Sequence, residues 1–315
     1  MEKIKALIKL IRVYQWTKSG FVLMPFVFSS HLYSVVHDPL GPQSLDTIKN
    51  LLIAFLGFSF LASSIYVIND FKDRKIDRED PRKQDRPLAS GTIGSGLAFL
   101  VAALLLTLAL GLGFHLNEAT GTTFLTYFLM NLIYSAGAKR IVLLDVFIIS
   151  VGFVLRVLAG AFALSVDASP WLLSSAFFIS LFLGFFKRYY EVRMSPAEAM
   201  IGGSYHAESL RSFINITASI SIINYSIYTL QGTHAAANLF WTIPLVVLGI
   251  FRYYTLLQNP EAIRDGNPSD ILLADVFLIV TILVWLVLCA YLILHSEPDL
   301  SPEQGLLHLR AAGLG

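Results

Sequence analysis

The chain alternates between long apolar windows and short polar segments. Nine windows of about 20 mainly apolar residues are each long enough to cross roughly 30 Å of hydrocarbon as a helix. Runs such as 97–106 lack the strict alternation of a membrane β-barrel, so the pattern predicts an all-α, polytopic membrane protein with nine transmembrane helices. The predicted spans are 19–36, 50–68, 93–114, 119–137, 141–164, 170–186, 213–231, 238–257 and 272–294.

The composition excludes an ordinary soluble domain. Apolar residues make up 55% of the 315 residues and charged residues 14%, against about 25% charged in an average soluble domain. The mean hydropathy is +0.65. A single cysteine, Cys289, lies in an apolar run and excludes a disulfide scaffold. We therefore expect one transmembrane domain over residues 1–315.

The positive charges predict an orientation. With the N-terminus placed in the cytoplasm, twenty of the 23 lysines and arginines fall on the inner side, and only Lys49 and Arg310 fall outside. Arg156 lies in the middle of the fifth predicted span. This asymmetry over short loops follows the positive-inside rule, so we expect the N-terminus inside, the C-terminus outside and the chemistry on the cytoplasmic face of the cell membrane.

Four segments flank the spans. Residues 1–18 mix lysine with isoleucine and leucine at helical spacing, which predicts a cytoplasmic interfacial helix rather than a cleaved signal peptide. Residues 69–91 form a cytoplasmic loop rich in aspartate, residues 187–212 form a second cytoplasmic loop, and residues 295–315 form a short tail.

The first loop carries the most informative acids. If the second span continues as a helix, Asp70, Asp73 and Asp77 fall within a wedge of about 60° on one face. Like charges placed together favour a cation between them, and hard oxygen ligands together with a substrate phosphate suit Mg²⁺. The pattern predicts a Mg²⁺-diphosphate site. The alternative is a solvated loop whose mixed charges neutralise one another.

These residues resemble a known family. The sequence N-D-x-x-D-x-x-x-D at 69–77, followed by R-P-L-A-S-G at 86–91, resembles the first aspartate motif of the UbiA superfamily of intramembrane prenyltransferases. The resemblance implies nine helices around a central cavity and aspartates that bind Mg²⁺ and a diphosphate. Within the superfamily the whole chain is most similar to the branch that transfers phosphoribosyl groups to decaprenyl phosphate. Weaker matching pieces are Arg12-x-x-Gln15-Trp16-x-Lys18, Tyr134 with Lys139, Arg156-x-x-x-Gly160, Lys187-Arg188-Tyr189-x-Glu191, Arg252-Tyr253 and Pro268-x-Asp270.

The second loop departs from the prenyltransferases, because residues 187–208 contain no aspartate and open with Lys187 and Arg188. A second Mg²⁺ is therefore not expected there. Phosphoribosyl diphosphate has two separate anionic groups, so it needs two receptors: the aspartate loop for the diphosphate and a basic pair such as Lys187 and Arg188 for the other phosphate. Arg156 is a candidate for the phosphate of a lipid acceptor.

These arguments define the candidate residues. The predicted metal ligands are Asn69, Asp70, Asp73 and Asp77, of which Asp73 and Asp77 are also assigned as catalytic. The predicted substrate-binding residues are Gln15, Lys18, Tyr66, Lys83, Arg86, Lys139, Arg156, Lys187, Arg188, Tyr189 and Glu191.

Three functions fit the pattern. The favoured one is Mg²⁺-dependent transfer of a 5-phosphoribosyl group from phosphoribosyl diphosphate to a polyprenyl phosphate. The second is a prenyltransferase that joins an isoprenoid diphosphate to an aromatic acceptor, and the third is a transporter or lipid carrier. The bilayer is an expected partner, a nucleic acid is not, and a homo-oligomer is left open.

Overall fold

A computed structural model describes residues 2–81, 83–194, 205–231, 238–256, 271–272 and 274–296. These residues form helices, turns and irregular segments, with no strand among them. The α-helices are α1 (Glu2–Ile11), α2 (Met24–Val27), α3 (Ser30–His37), α4 (Pro42–Glu79), α5 (Ser95–Leu116), α6 (Glu118–Ala136), α7 (Leu144–Ala163), α8 (Pro170–Met194), α9 (Ala207–Gln231), α10 (Ile243–Leu256) and α11 (Val276–Leu294). Short 3₁₀ helices run over Val13–Leu23, Ala138–Arg140 and Leu239–Thr242.

The predicted all-helical membrane architecture is confirmed, but the count of nine spans is not. Seven helical segments within the described ranges are individually long and apolar enough to cross a membrane, and a bent pair in the first predicted span raises the number to eight. The fourth predicted span, 119–137, is present as α6, whose 19 residues include several threonines and Asn131 and are less apolar than the others. The protein is an integral membrane protein.

The first predicted span, 19–36, is wrong as one continuous helix. The chain runs through the 3₁₀ helix Val13–Leu23 and the short helix α2. It then turns by 88° into α3. Arg12, which precedes the 3₁₀ helix, has a left-handed backbone (φ 53°). Pro25 and the extended Ser29 interrupt the hydrogen-bond ladder of an α-helix, which explains the break.

The 3₁₀ helix Val13–Leu23 packs closely on α7. A Cβ atom placed on Gly160 would lie 1.9 Å from the carbonyl oxygen of Val22, so only glycine permits this approach. Val22 is fully buried in a cluster with residues of α4, α6 and α7, among them Phe58 and Phe124. This packing fixes the N-terminal segment against the helices that surround the cavity described below.

The longest helix, α4, passes beyond its apolar part to Glu79, so the predicted aspartate loop at 69–91 begins as helix. The chain returns through turns and bends within 80–81 and 83–94 and enters α5 at Ser95. The C-terminal ends of α4, α6 and α8 and the N-terminal end of α7 come together on one side of the molecule. Contacts between Asn69 and Ser135 and between Asp145 and Arg188 join these ends.

Candidate active site

The three acids of the aspartate motif lie near the C-terminal end of α4, and the helix predicted to carry them is confirmed. Asp70 and Asp77 are buried, with 4% of each residue exposed. The side chain of Asp73 is about one third exposed. Asp70 and Asp77 are therefore held inside the protein, whereas the alternative of a solvated loop requires the acids to extend into bulk water.

Asp70 and Asp77 converge on one cation. A single nitrogen of Arg86 lies 2.8 Å from Asp77 Oδ2 and 3.3 Å from Asp70 Oδ1. A second guanidinium, that of Arg12, donates to Asp70 Oδ1 at 2.5 Å and lies over the ring of Tyr66. These arginines neutralise two buried carboxylates that otherwise repel each other.

Asp73 and Asn69 connect α4 to the end of α6. Lys139, in the 3₁₀ turn after α6, lies 3.1 Å from Asp73 Oδ2. The hydroxyl of Ser135 donates to Asn69 Oδ1 at 2.5 Å. The predicted metal residues and the predicted substrate residues Arg86 and Lys139 are thus brought together at one end of the bundle.

These oxygens fit Mg²⁺ by their chemistry, since carboxylate and amide oxygens are its preferred protein ligands. In the part of the chain that the structure describes, no group of three or more His, Cys, Asp or Glu side chains is arranged to hold a metal ion. Instead, Arg12, Arg86 and Lys139 occupy the positions next to the acids. The predicted ligand set therefore remains a prediction, and metal binding requires the Arg86 nitrogen to move from between Asp70 and Asp77.

A cavity of about 470 Å³ lies beside this cluster. Its walls come from α4, α6, α7, α8, α11 and the 3₁₀ helix Val13–Leu23. Six of the predicted residues line it: Lys18, Tyr66, Asn69, Arg156, Lys187 and Arg188. Its described lining thus contains four cationic side chains and no carboxylate.

Arg188 is held by two acids at the mouth of the cavity. Its Nε donates to Asp145 Oδ2 at 2.7 Å and its NH1 donates to Glu191 Oε2 at 2.5 Å. Asp145 is completely buried, and its other oxygen accepts a hydrogen bond from the Tyr205 hydroxyl at 2.6 Å. Burial and the hydrogen bond to Asp145 raise the pKa of Tyr205, so its hydroxyl remains a donor at neutral pH.

Arg156 lies deeper in the same cavity and is 4% exposed. It donates to the Gly152 carbonyl at 2.9 Å and to the Tyr127 hydroxyl at 2.8 Å. The rings of Phe58, Tyr127 and Phe153 surround the guanidinium carbon at 4.8 to 5.0 Å. Among the described residues no carboxylate lies within ion-pair distance, and its buried Nε has no hydrogen-bond partner. A cation with these surroundings can accept an anion from the cavity.

Six predicted substrate residues do not reach the described lining of the cavity: Arg86 and Lys139, which contact the acids of the motif, and Gln15, Lys83, Tyr189 and Glu191. Gln15 is buried and its Oε1 has no hydrogen-bond partner, whereas Lys83 pairs with Asp80 in the turn after α4. Tyr189 packs in a hydrophobic cluster of α8, α9 and α10. Glu191 binds Arg188 and Lys187, so its contact with a substrate remains a prediction.

Three residues that the candidate set omitted take part in the site. Arg12 begins the piece Arg12-x-x-Gln15-Trp16-x-Lys18, which resembles the family. Its position in the sequence does not indicate that it binds Asp70. Asp145 lies 11 residues before Arg156 on α7 and pairs with Arg188 from α8. Tyr205 follows residues 195–204, which lie outside the described residues, and no periodic signal marks it.

The comparison with protein families decides the assignment. Residues 23–267 match the UbiA prenyltransferase family. The chain belongs to this family. The resemblance seen in the aspartate motif is therefore confirmed, and this UbiA-family protein is an enzyme of the transferase class.

Curated relatives of the UbiA-family enzyme cover nearly its whole length. It is 30% identical over 302 residues to a decaprenyl-phosphate phosphoribosyltransferase of Corynebacterium glutamicum, with 93% of this chain and 87% of the relative covered. It is 28% identical to the protein of that name from Mycobacterium tuberculosis, with 90% and 92% covered.

Solved structures share the fold of the UbiA-family enzyme. A UbiA homologue from Archaeoglobus fulgidus bound to GPP and Mg²⁺ superposes with a TM-score of 0.67 at 17% identity, covering 91% of this chain and 99% of the other. The same homologue bound to DMAPP and Mg²⁺ gives a TM-score of 0.67 at 18% identity, covering 91% and 98%.

Proposed function

We propose that the enzyme transfers a 5-phosphoribosyl group from phosphoribosyl diphosphate to a polyprenyl phosphate and releases diphosphate. The observation that carries the proposal is the cationic lining of the cavity, which contains Lys18, Arg156, Lys187 and Arg188 and no described carboxylate. Together the two substrates present several phosphate groups, and a cavity lining that contains cationic side chains suits them. The name of the curated relatives supports the same reaction.

The cations occupy two levels of the cavity. Lys187 and Arg188 lie near Asp145, close to the start of α7. The Arg156 guanidinium lies beside Gly152, which is seven residues after Asp145 on the same helix. At 1.5 Å per residue this separation is about 10 Å along α7. The pair formed by Lys187 and Arg188 is suited to the 5-phosphate of the sugar. Arg156 is suited to the phosphate of the lipid, whose tail lies in the bilayer.

The proposed metal is Mg²⁺, held by Asn69, Asp70, Asp73 and Asp77. When bound, it supplies positive charge to the leaving diphosphate. Arg86 and Lys139, which contact these acids, are placed to bind the diphosphate when the acids take up the metal. Both substrates are anions, so neutralisation and orientation are the main tasks of these side chains.

In the reaction the bond between C1 of the ribose and the diphosphate oxygen breaks, and the diphosphate leaves with the electron pair. An oxygen of the polyprenyl phosphate forms the new bond to C1. This oxygen is already anionic, so no proton has to be removed and no strong base is required. The cavity is consistent with this, since its described lining contains no histidine and no carboxylate.

The proposed site faces the cytoplasm, as the positive-inside rule predicts. The residues that join the ends of the bundle there include Lys9, whose ammonium donates to the Asp85 carbonyl at 2.7 Å, and Arg12. Lys49 lies near the opposite end of α4. A cytoplasmic site gives access to a soluble sugar phosphate and to a lipid headgroup at the membrane surface.

The alternative is a prenyltransferase that uses an isoprenoid diphosphate and an aromatic acceptor. It is favoured by the solved structures of similar fold, which contain GPP or DMAPP with Mg²⁺. The second loop argues against it, because residues 187–208 contain no aspartate for the second acidic motif of a prenyltransferase.

Purified enzyme in detergent separates the two proposals. We expect label from phosphoribosyl diphosphate to enter decaprenyl phosphate in the presence of Mg²⁺, with release of diphosphate. Label from GPP is not expected to enter an aromatic acid such as 4-hydroxybenzoate. Labelling of the aromatic acid without labelling of the lipid phosphate would establish the alternative.

A further inference from the structure

Asp145 has an unusual position for an acid in a membrane protein. It is the second residue of α7, its exposed fraction is 0%, and both of its oxygens are engaged. One accepts from Arg188 Nε at 2.7 Å and the other from the Tyr205 hydroxyl at 2.6 Å. A buried carboxylate is costly unless it is paired and fully hydrogen-bonded, and here both conditions are met.

The two acids that hold Arg188 differ in what they can fix. Glu191 lies on the same helix, three residues further along, so it orients the guanidinium only relative to α8. Asp145 lies on α7, the helix that also carries Arg156. The Asp145–Arg188 pair therefore connects Arg188 to α7, the helix that carries Arg156, the deeper cation of the cavity.

Tyr205 completes this arrangement from a third part of the chain. Its hydroxyl oxygen accepts a hydrogen bond from the backbone N–H of Leu143 at 2.7 Å. The same hydroxyl donates a hydrogen bond to Asp145. Leu143 precedes α7 and has a left-handed backbone with φ of 71°, which is rare for a leucine. Tyr205 thus holds both the start of α7 and the acid that binds Arg188.

We propose that Asp145 is a positioning residue, which acts through Arg188 and, with Tyr205, sets the distance between the cationic positions at Arg188 and Arg156. This inference rests on the proposed function, in which these positions bind phosphate groups of the two substrates. Asp145 is not part of the described cavity lining, so it contributes through the geometry of Arg188 and not by contact with substrate.

A double-mutant cycle on the intact enzyme tests the proposal. Binding of ribose 5-phosphate, which carries the phosphate assigned to Arg188, is measured by calorimetry for the wild type, Asp145→Asn, Arg188→Lys and the double variant. We expect each single substitution to weaken binding about tenfold and the double variant to bind no more weakly than the weaker single one, because both remove the same interaction. Additive losses of about 100-fold in the double variant, or no binding of ribose 5-phosphate by the wild type, would overturn it.

Kinetics and a matched control distinguish positioning from stability. We expect Asp145→Asn to raise the KM for phosphoribosyl diphosphate about tenfold while the KM for the lipid stays unchanged. Asp275→Asn is the control, because Asp275 forms a comparable 2.7 Å pair with Arg252 and an asparagine also caps α11. Thermal destabilisation by Asp145→Asn with unchanged affinity and KM would show a purely structural role.

Tyr205→Phe provides a second route if Asp145→Asn does not fold, since it removes a single hydroxyl. It should weaken ribose 5-phosphate binding about threefold, and this loss should disappear in the Arg188→Lys background. Unchanged binding by Tyr205→Phe would contradict the proposal. Failure of the wild type to label decaprenyl phosphate contradicts the proposed function alone, because the binding of ribose 5-phosphate needs no turnover.

Discussion

The ammonium of Lys139 lies 3.1 Å from Asp73 Oδ2 and joins the turn after α6 to the aspartate motif on α4. The two residues are 66 positions apart in the sequence. Their contact places the basic residue of the Tyr134–Lys139 piece directly at the middle acid of the motif. A diphosphate bound by the acids through a metal would therefore meet Lys139 as well.

Asp73→Asn should lower turnover about 100-fold or more, because the neutral amide lacks the negative charge that attracts Mg²⁺ and pairs with Lys139. The side chain is partly exposed, so the melting temperature in detergent should change little. Asp46→Asn, on the exposed opposite end of α4, is the control and should keep full activity. If Asp73→Asn retained more than about a tenth of the rate, the metal site would have to be placed elsewhere.

Arg86→Gln should strengthen the binding of Mg²⁺ alone. Arg86 now lies between Asp70 and Asp77, and its removal leaves two buried carboxylates whose repulsion a metal ion relieves. Calorimetry without substrate measures the change, and Arg74→Gln serves as the control because Arg74 donates to the Phe71 carbonyl. An unchanged affinity for Mg²⁺ would mean that Asp70 and Asp77 are not its ligands.

Arg156→Met should separate activity from stability. In the described structure no carboxylate pairs with Arg156, so its removal leaves no buried anion without a partner, and the melting temperature should hold or rise. Activity should fall at least about tenfold because the deep cation is lost. Kinetics with varied lipid phosphate and a thermal melt measure both effects, and a fall in the two together would assign Arg156 to the packing of the bundle.

Gly160→Ala should destabilise the protein by about 1–3 kcal/mol or more, because the new methyl group collides with the Val22 backbone and α7 must shift. Gly111→Ala, on α5, meets no atom within 4 Å and should be neutral or slightly stabilising. Thermal melts of the two variants in the same detergent give the difference. Equal melting temperatures would show that the contact between Val22 and α7 yields without cost.

The sequence predicted the fold class and the helix through Asp70, Asp73 and Asp77, because hydrophobic length and helical spacing are local properties. The first span was wrong in its continuity, since Pro25 and Ser29 lie within an otherwise apolar window. The mean hydropathy of such a window depends on its composition and contains no information on the direction of the chain. The 88° turn changes the direction and leaves the composition unchanged.

The pairing within the site could not be predicted from spacing alone. Arg188 and Asp145 meet across two helices and are 43 residues apart, and Arg12 reaches Asp70 over 58 residues. The same sequence that predicts basic residues as phosphate receptors is equally consistent with their binding to acids, and only the packing of the helices decides which acid each one meets. Arg156 illustrates the opposite case, because its depth in the fifth predicted span already indicated a position inside the bundle.

The winding of Val13–Leu23 determines how far eleven residues reach. As a 3₁₀ helix they rise about 22 Å, roughly 5 Å more than the same residues in an α-helix. One end is anchored by Arg12 on Asp70 and the other by Val22 on Gly160. Conversion of this stretch to an α-helix would shorten it and break one of the two contacts. The two contacts therefore keep it in the longer 3₁₀ form and set the position at which Lys18 enters the cavity wall.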